Sequence, residues 1–151
     1  MRRCFVVVLL VGVLAGSAGC ASVSTVTGSG NRAEAVRKYN YAGKEEFLEV
    51  EGATITPDMV APGQVVQAAV RYVVLAPDVT KQVMVVESRT LVGGSDSLLL
   101  SKREVTQEQG SHASTLKFTV PNDMTKGSYT LVTSITVGNQ TKTVRRAFGI
   151  N

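Results

Sequence analysis

From Glu45 onward, apolar and polar side chains alternate residue by residue, and this period of two constrains the fold more than any other feature of the chain. In TLKFTVP, Leu116, Phe118 and Val120 share one register while Thr115, Lys117 and Thr119 share the other. YTLVTSITV aligns Tyr129, Leu131, Thr133, Ile135 and Val137, and VVQAAVRYVVL aligns Val66, Ala68, Val70, Tyr72 and Val74 opposite Gln67 and Arg71. Successive side chains leave opposite faces of a strand, so this pattern belongs to half-buried β-strands. The many valines, threonines and isoleucines agree with it. No helix-period segment of useful length follows Glu45.

Turn signals cut the alternation at short intervals: Pro57-Asp58, Pro62-Gly63, Pro77-Asp78, Gly93-Gly94, Gly110, Pro121-Asn122-Asp123, Gly127 and Gly138-Asn139. The last lies between two strand runs and reads as a two-residue hairpin, with Gly138 supplying a positive φ. Seven or eight strand candidates within residues 45–151 suit one all-β domain, a single antiparallel β-sandwich of about seven strands.

The segments APGQVVQAAVRYVVLAP and STLKFTVPNDMTKGSYTLVTSITVGNQTKTVRRAFGI resemble the immunoglobulin-like or fibronectin-type sandwiches of bacterial envelope proteins. In those domains a P…G-x-Y-x-L segment leads from a turn into a central late strand, and a final hairpin closes the sheet. Pro121, Gly127, Tyr129 and Leu131 match it. The resemblance identifies an architecture and no activity. The chain has no tryptophan, and no cysteine pair lies within the domain, so antibody-type hallmarks are missing. Tyr129 is expected either to bond a backbone group near the turn, as a tyrosine corner, or to be a core aromatic whose hydroxyl reaches water.

The opening MRRCFVVVLLVGVLAGSAGC has another logic. Arg2 and Arg3 precede an apolar run from Phe5 to Leu14, which dissolves into Ala15, Gly16, Ser17, Ala18 and Gly19. Positive end, apolar run and small-residue cleavage zone describe a secretory signal peptide over residues 1–19. The run is shorter than the roughly 20 apolar residues of a spanning helix. Ser17-Ala18-Gly19-Cys20 resembles the lipobox of bacterial lipoproteins. Ser17 stands where that family most often has leucine; Ala18, Gly19 and Cys20 match. The resemblance implies cleavage between Gly19 and Cys20 and acylation of Cys20 by palmitate-type chains. One acyl chain holds a protein only marginally and two or three hold it firmly, at about 0.8 kcal/mol per buried methylene. The alternatives are ordinary cleavage that leaves a free Cys20 thiol, and an uncleaved anchor. Ala21 in place of an aspartate leans, by the same resemblance, toward the outer membrane, facing the periplasm or the cell surface.

Residues 20–44 then read as the lipidated cysteine and a flexible tether, since Ser, Thr and Gly dominate as far as Asn31. RAEAVRKY offers one or two helical turns, marginal in isolation. Fully stretched, the tether would span about 80 Å, and relaxed about 25–30 Å. Such a leash lets the domain move near a membrane without being pressed on it. With Arg2 and Arg3 removed by cleavage, 16 basic residues become 14 against 12 acidic, near neutrality, which speaks against nucleic acid as a partner.

Chemistry-bearing motifs are sparse. His112 in EQGSHAST could pair with Glu108 on a metal, but Gly110 and its surroundings suggest a loop, where a solvated histidine is expected. No nucleophile sits in a strand–turn–helix elbow, and Gly93-Gly94 lacks the lysine and helix of a phosphate loop. SKREVTQEQGSH, with Val105 its one large aliphatic, is expected to be an exposed edge strand, polar against aggregation or open to a partner. Arg146 shares the register of Val144, Phe148 and Ile150, so it is expected at a sheet end, in a salt bridge or displaced by a bulge. Neither a catalytic residue, a metal nor a cofactor is predicted. The reading is a non-enzymatic envelope lipoprotein, bound to the membrane through Cys20, whose sandwich serves as an interaction or assembly module for an envelope protein. A small-ligand or carbohydrate-binding module is the alternative.

Overall fold

The computed structural model describes residues 22–94 and 96–151, apart from the side chains of Ser22 and Ser29. The chain runs β1 (Ser22–Asn31), α1 (Arg32–Tyr39), β2 (Phe47–Thr56), β3 (Met59–Val60), β4 (Val65–Leu75), β5 (Val83–Gly93), β6 (Asp96–Gln107), β7 (Gly110–Thr119), β8 (Gly127–Val137) and β9 (Gln140–Ile150). Two sheets form, in the orders β1-β7-β4-β2 and β3-β9-β8-β5-β6. All pairings are antiparallel except the short parallel contact of β3 with β9. The fold is an all-β sandwich. Its strands number nine among the described residues rather than about seven, because β1 and the two-residue β3 are added.

The three alternating stretches are β4, β7 and β8, and their expected inward registers are buried as read. Each turn signal falls at a strand boundary. Gly138 and Asn139 alone separate β8 from β9, with Gly138 at φ +52°, in the left-handed region a two-residue hairpin requires.

The tether expected over residues 20–44 is corrected from Ser22 onward. From Ser22 the chain is a strand, paired from Ser22↔Phe118 to Asn31↔Gly110 along the edge of β7, with one register shift between Gly28 and Gly30. Serine and threonine make a poor apolar period, yet an edge strand needs little apolar content when its backbone is bonded along a ready neighbour. The helix is likewise stable because it is not isolated. Asn31 caps it by accepting from the Glu34 amide at 2.9 Å, and Ala35 packs on Val73 and Leu75 of β4, with Tyr39, Tyr41 and Phe47 around them. This explains why β4 is apolar on both faces towards its end.

Between the sheets lie two apolar clusters. One gathers Leu91, Leu116, Phe118, Tyr129, Phe148 and Ile150, at the end where β1 and β8 begin. The other gathers Tyr72, Val74, Val83, Val85, Ile135 and Val137, at the opposite end.

Candidate functional site

Polar groups cross the middle of the sandwich between these clusters. Along β5 the inward register reads Val83, Val85, Glu87, Arg89, Leu91, so strand geometry carries a carboxylate and a guanidinium inside, each 1% exposed. Tyr72 donates to Glu87 Oε1 at 2.7 Å, and Ser114 donates to Oε2 at 2.6 Å. Arg103 of β6, directly across from Glu87, adds bonds from Nε at 3.0 Å and Nη2 at 2.8 Å. Arg89 Nη2 donates to the Ser114 hydroxyl at 2.7 Å, and its Nη1 stands 3.6 Å from Glu87 Oε2. Its Nε and Nη1 find no hydrogen-bond partner.

Burial pushes the Glu87 carboxyl up, but bonds from Ser114, Tyr72 and Arg103 outweigh it and hold the group below its ordinary value. Burial also lowers Arg89, against the opposing charge of Glu87. Tyr72 is raised well above the usual phenol range by burial and then by Glu87. Both carboxylate oxygens of Glu87 are thus engaged by protein groups, which ties the two sheets together through a buried polar network. The sequence reading missed it. The signal was available in VMVVESRTLVG, where Val83, Val85 and Leu91 fix which register points inward.

A cleft of about 620 Å³ opens at the far end of β1, between Gly30, Arg32, residues 79–82, Glu108 and His112. Gln109 organises its wall. Its side-chain carbonyl accepts from Arg32 Nε at 2.8 Å and the Ala76 amide at 2.9 Å, and its nitrogen donates to the carbonyls of Asp78 and Lys81. His112 is not the solvated loop histidine expected. It lies on β7, is 5% exposed, and has its ring 5.6 Å from that of Tyr72. Its Nε2 donates to the Glu108 carbonyl at 2.8 Å, and its buried Nδ1 has no hydrogen-bond partner. Strand β7 starts at Gly110, so His112 joins its inward register. The contact with residue 108 is to backbone, not carboxylate. Among the described residues no group of three or more metal-ligating side chains occurs, and no helix is long and apolar enough to cross a membrane.

Of SKREVTQEQGSH, residues 101–107 lie on β6, an edge strand as expected, whereas 110–112 open β7, which is internal to the other sheet. Tyr129 is buried and donates to the Thr125 carbonyl at 2.8 Å, which is the corner geometry of the two alternatives. Gly127 opens β8 opposite Ile150. Arg146 follows none of the three arrangements expected of it. Without a bulge in β9, its exposed side chain reaches across the open flank of the sandwich and donates to the Ala53 carbonyl of β2 at 2.6 Å. Gly19 and Cys20 lie outside the described residues.

These features define a two-sheet sandwich module with a charged belt in its core, a polar cleft at one end and a polar free edge. No protein-family model and no curated protein sequence matches the chain. Among solved structures, the CARDB domain of a Pyrococcus furiosus protein, determined in complex with di-metal ions, is similar at 15% identity and TM-score 0.52. That match covers 72% of this chain and 90% of the domain. A sporulation control protein from Bacillus subtilis is 14% identical with TM-score 0.45, over 71% of this chain and 49% of its own, about half its length. A conjugative transposon lipoprotein from Bacteroides eggerthii is 13% identical with TM-score 0.40, over 70% of this chain and 97% of its own. At these identities the likeness is one of fold.

Proposed function

We propose that the chain is an envelope lipoprotein held to a membrane by acyl chains on Cys20, and that its sandwich is a non-enzymatic interaction or assembly module for another envelope protein. The observation that carries the interaction role is β6. It pairs with β5 on one side and has no strand on the other among the described residues. Residues 101–107 keep this edge polar, with Lys102, Glu104 and Thr106 exposed. A polar edge resists indiscriminate pairing yet accepts a matched strand, with backbone bonds giving affinity and alternate side chains giving selectivity. The anchoring role rests on the positive end, apolar run and Ala18-Gly19-Cys20 of the leader.

A small-ligand role is favoured by one feature, the cleft beside His112. For carbohydrate, the described aromatics offer little. Tyr72, Tyr129, Phe118 and Phe148 are buried, and Tyr39, Tyr41 and Phe47 pack against one another.

A photo-crosslinking amino acid at Glu104, compared with one at Lys142 on β9, tests the interaction role in intact envelopes. One dominant adduct specific to position 104 supports strand recognition; identical adduct patterns from both positions would refute it. Radiolabelled palmitate should enter the wild type and not Cys20→Ser. Equal labelling of the two, or labelling of neither, would remove the anchor.

A further inference from the structure

The place where β1 starts determines which end of the molecule an anchored Cys20 would hold to the membrane. Ser22 is the first residue of β1 and pairs with Phe118. One residue, Ala21, separates it from Cys20, a reach of at most about 7 Å between the two Cα atoms. From Ser22 to Tyr39 the expected leash is instead a strand and a helix. The end of the sandwich that carries Ser22 also carries the loop between β3 and β4, the turn between β5 and β6 and the start of β8, because the core cluster around Phe118 contains Val66, Leu91 and Tyr129.

The exposed large apolar side chains collect at this same end. Val23, Met59, Val65, Val92, Leu98 and Leu99 are between 38% and 66% exposed. They come from both sheets: Val23 and Val65 from β1 and β4, Val92, Leu98 and Leu99 from the β5–β6 hairpin, and Met59 from β3. Only Val79 and Met84, among the exposed large apolar residues described, lie towards the other end. Single exposed apolar residues are ordinary, but a collection at the point of chain entry is not scattered. Asp58, Asp96 and Asp123 share this end with Lys117 and Lys126, so these side chains give it no basic excess to draw it to anionic lipid.

Resting on the anchoring reading above, we propose that this end of the sandwich is a lipid-facing surface. The acyl chains of Cys20 bring it to the bilayer, and Val65, Val92, Leu98 and Leu99 enter the interfacial region. Insertion would rely on apolar burial and not on anionic headgroups. The domain then stands upright, with β1 carrying the chain about 33 Å away from the lipid. The polar half of β6 and the His112 cleft face outward into the aqueous compartment.

The test uses full-length protein processed in a bacterial host and reconstituted in phosphatidylcholine vesicles. With Cys4 in the leader and Cys20 acylated, single cysteines at Leu99→Cys, Val65→Cys and Met84→Cys take a nitroxide label. All three replace exposed side chains, so the fold is retained. Labels at 99 and 65 should be shielded from an aqueous nickel chelate and relaxed by lipid-soluble oxygen, while the label at 84 behaves in the opposite way. Equal chelate accessibility at all three sites, with Cys20 acylated by mass, would overturn the lipid-facing end alone. A preparation without acylation would overturn the anchor and this surface with it.

Discussion

Glu87 and Arg89 sit at the centre of the molecule, and the two are not energetically equivalent. Glu87 balances Arg103 through two bonds, and it is the only carboxylate among the groups bonded in the belt. Removing it leaves two arginines facing each other without compensation. Breaking a buried pair in this way costs about 3–5 kcal/mol. Arg89→Met should cost less, because it gives up the Nη2 bonds to Ser114 but also removes two unpartnered buried nitrogens, and it leaves the Glu87–Arg103 pair balanced. Urea unfolding of Glu87→Ala and Arg89→Met should therefore separate; equal losses would show that Arg89 is as necessary as its partner. A pH dependence follows from the same carboxylate. Its folded value lies below the ordinary 4.5, so its contribution is complete above that pH and is lost as pH falls through the lower folded value. Wild type should lose stability below about pH 4.5, and Glu87→Ala should lose less over that window. The charges of the belt were legible as core only through the register that Val83, Val85 and Leu91 set along β5, because a charged residue read by composition alone belongs on the surface.

At the level of elements, alternation made the central strands legible because burial on one face imposes period two. The β8–β9 hairpin was legible for a different reason, since a two-residue loop with a glycine at its left-handed position leaves few choices. Gly138→Ala should cost about 1–2 kcal/mol, as an L side chain does in the left-handed region. The added methyl would also crowd the Glu46 carboxylate. A thermal midpoint unchanged by this substitution would mean that the hairpin relaxes to another turn. What the sequence concealed was β1 and the stability of α1. SVSTVTGSGN has the composition of a linker, and only the presence of β7 as a template makes it a strand. RAEAVRKY is too short to persist alone, and it is held by its contact with Val73 and Leu75. Both are consequences of tertiary neighbours, to which local propensity is blind.

Across the whole molecule the features sort by end. Chain entry and the exposed apolar side chains share one end, while the polar cleft and the polar half of β6 lie towards the other. An anchored module needs such polarity, because a lipid tether that leads directly into a strand fixes orientation as well as location. The account therefore depends first on Cys20 being the acylated first residue of the mature chain. Intact-mass analysis of the protein purified from native envelopes, with tandem sequencing of its first peptide, tests this most directly. A chain beginning at Cys20 and heavier than its sequence by two or three acyl groups is the predicted result. A chain beginning at Met1, or a free thiol at Cys20, would contradict it.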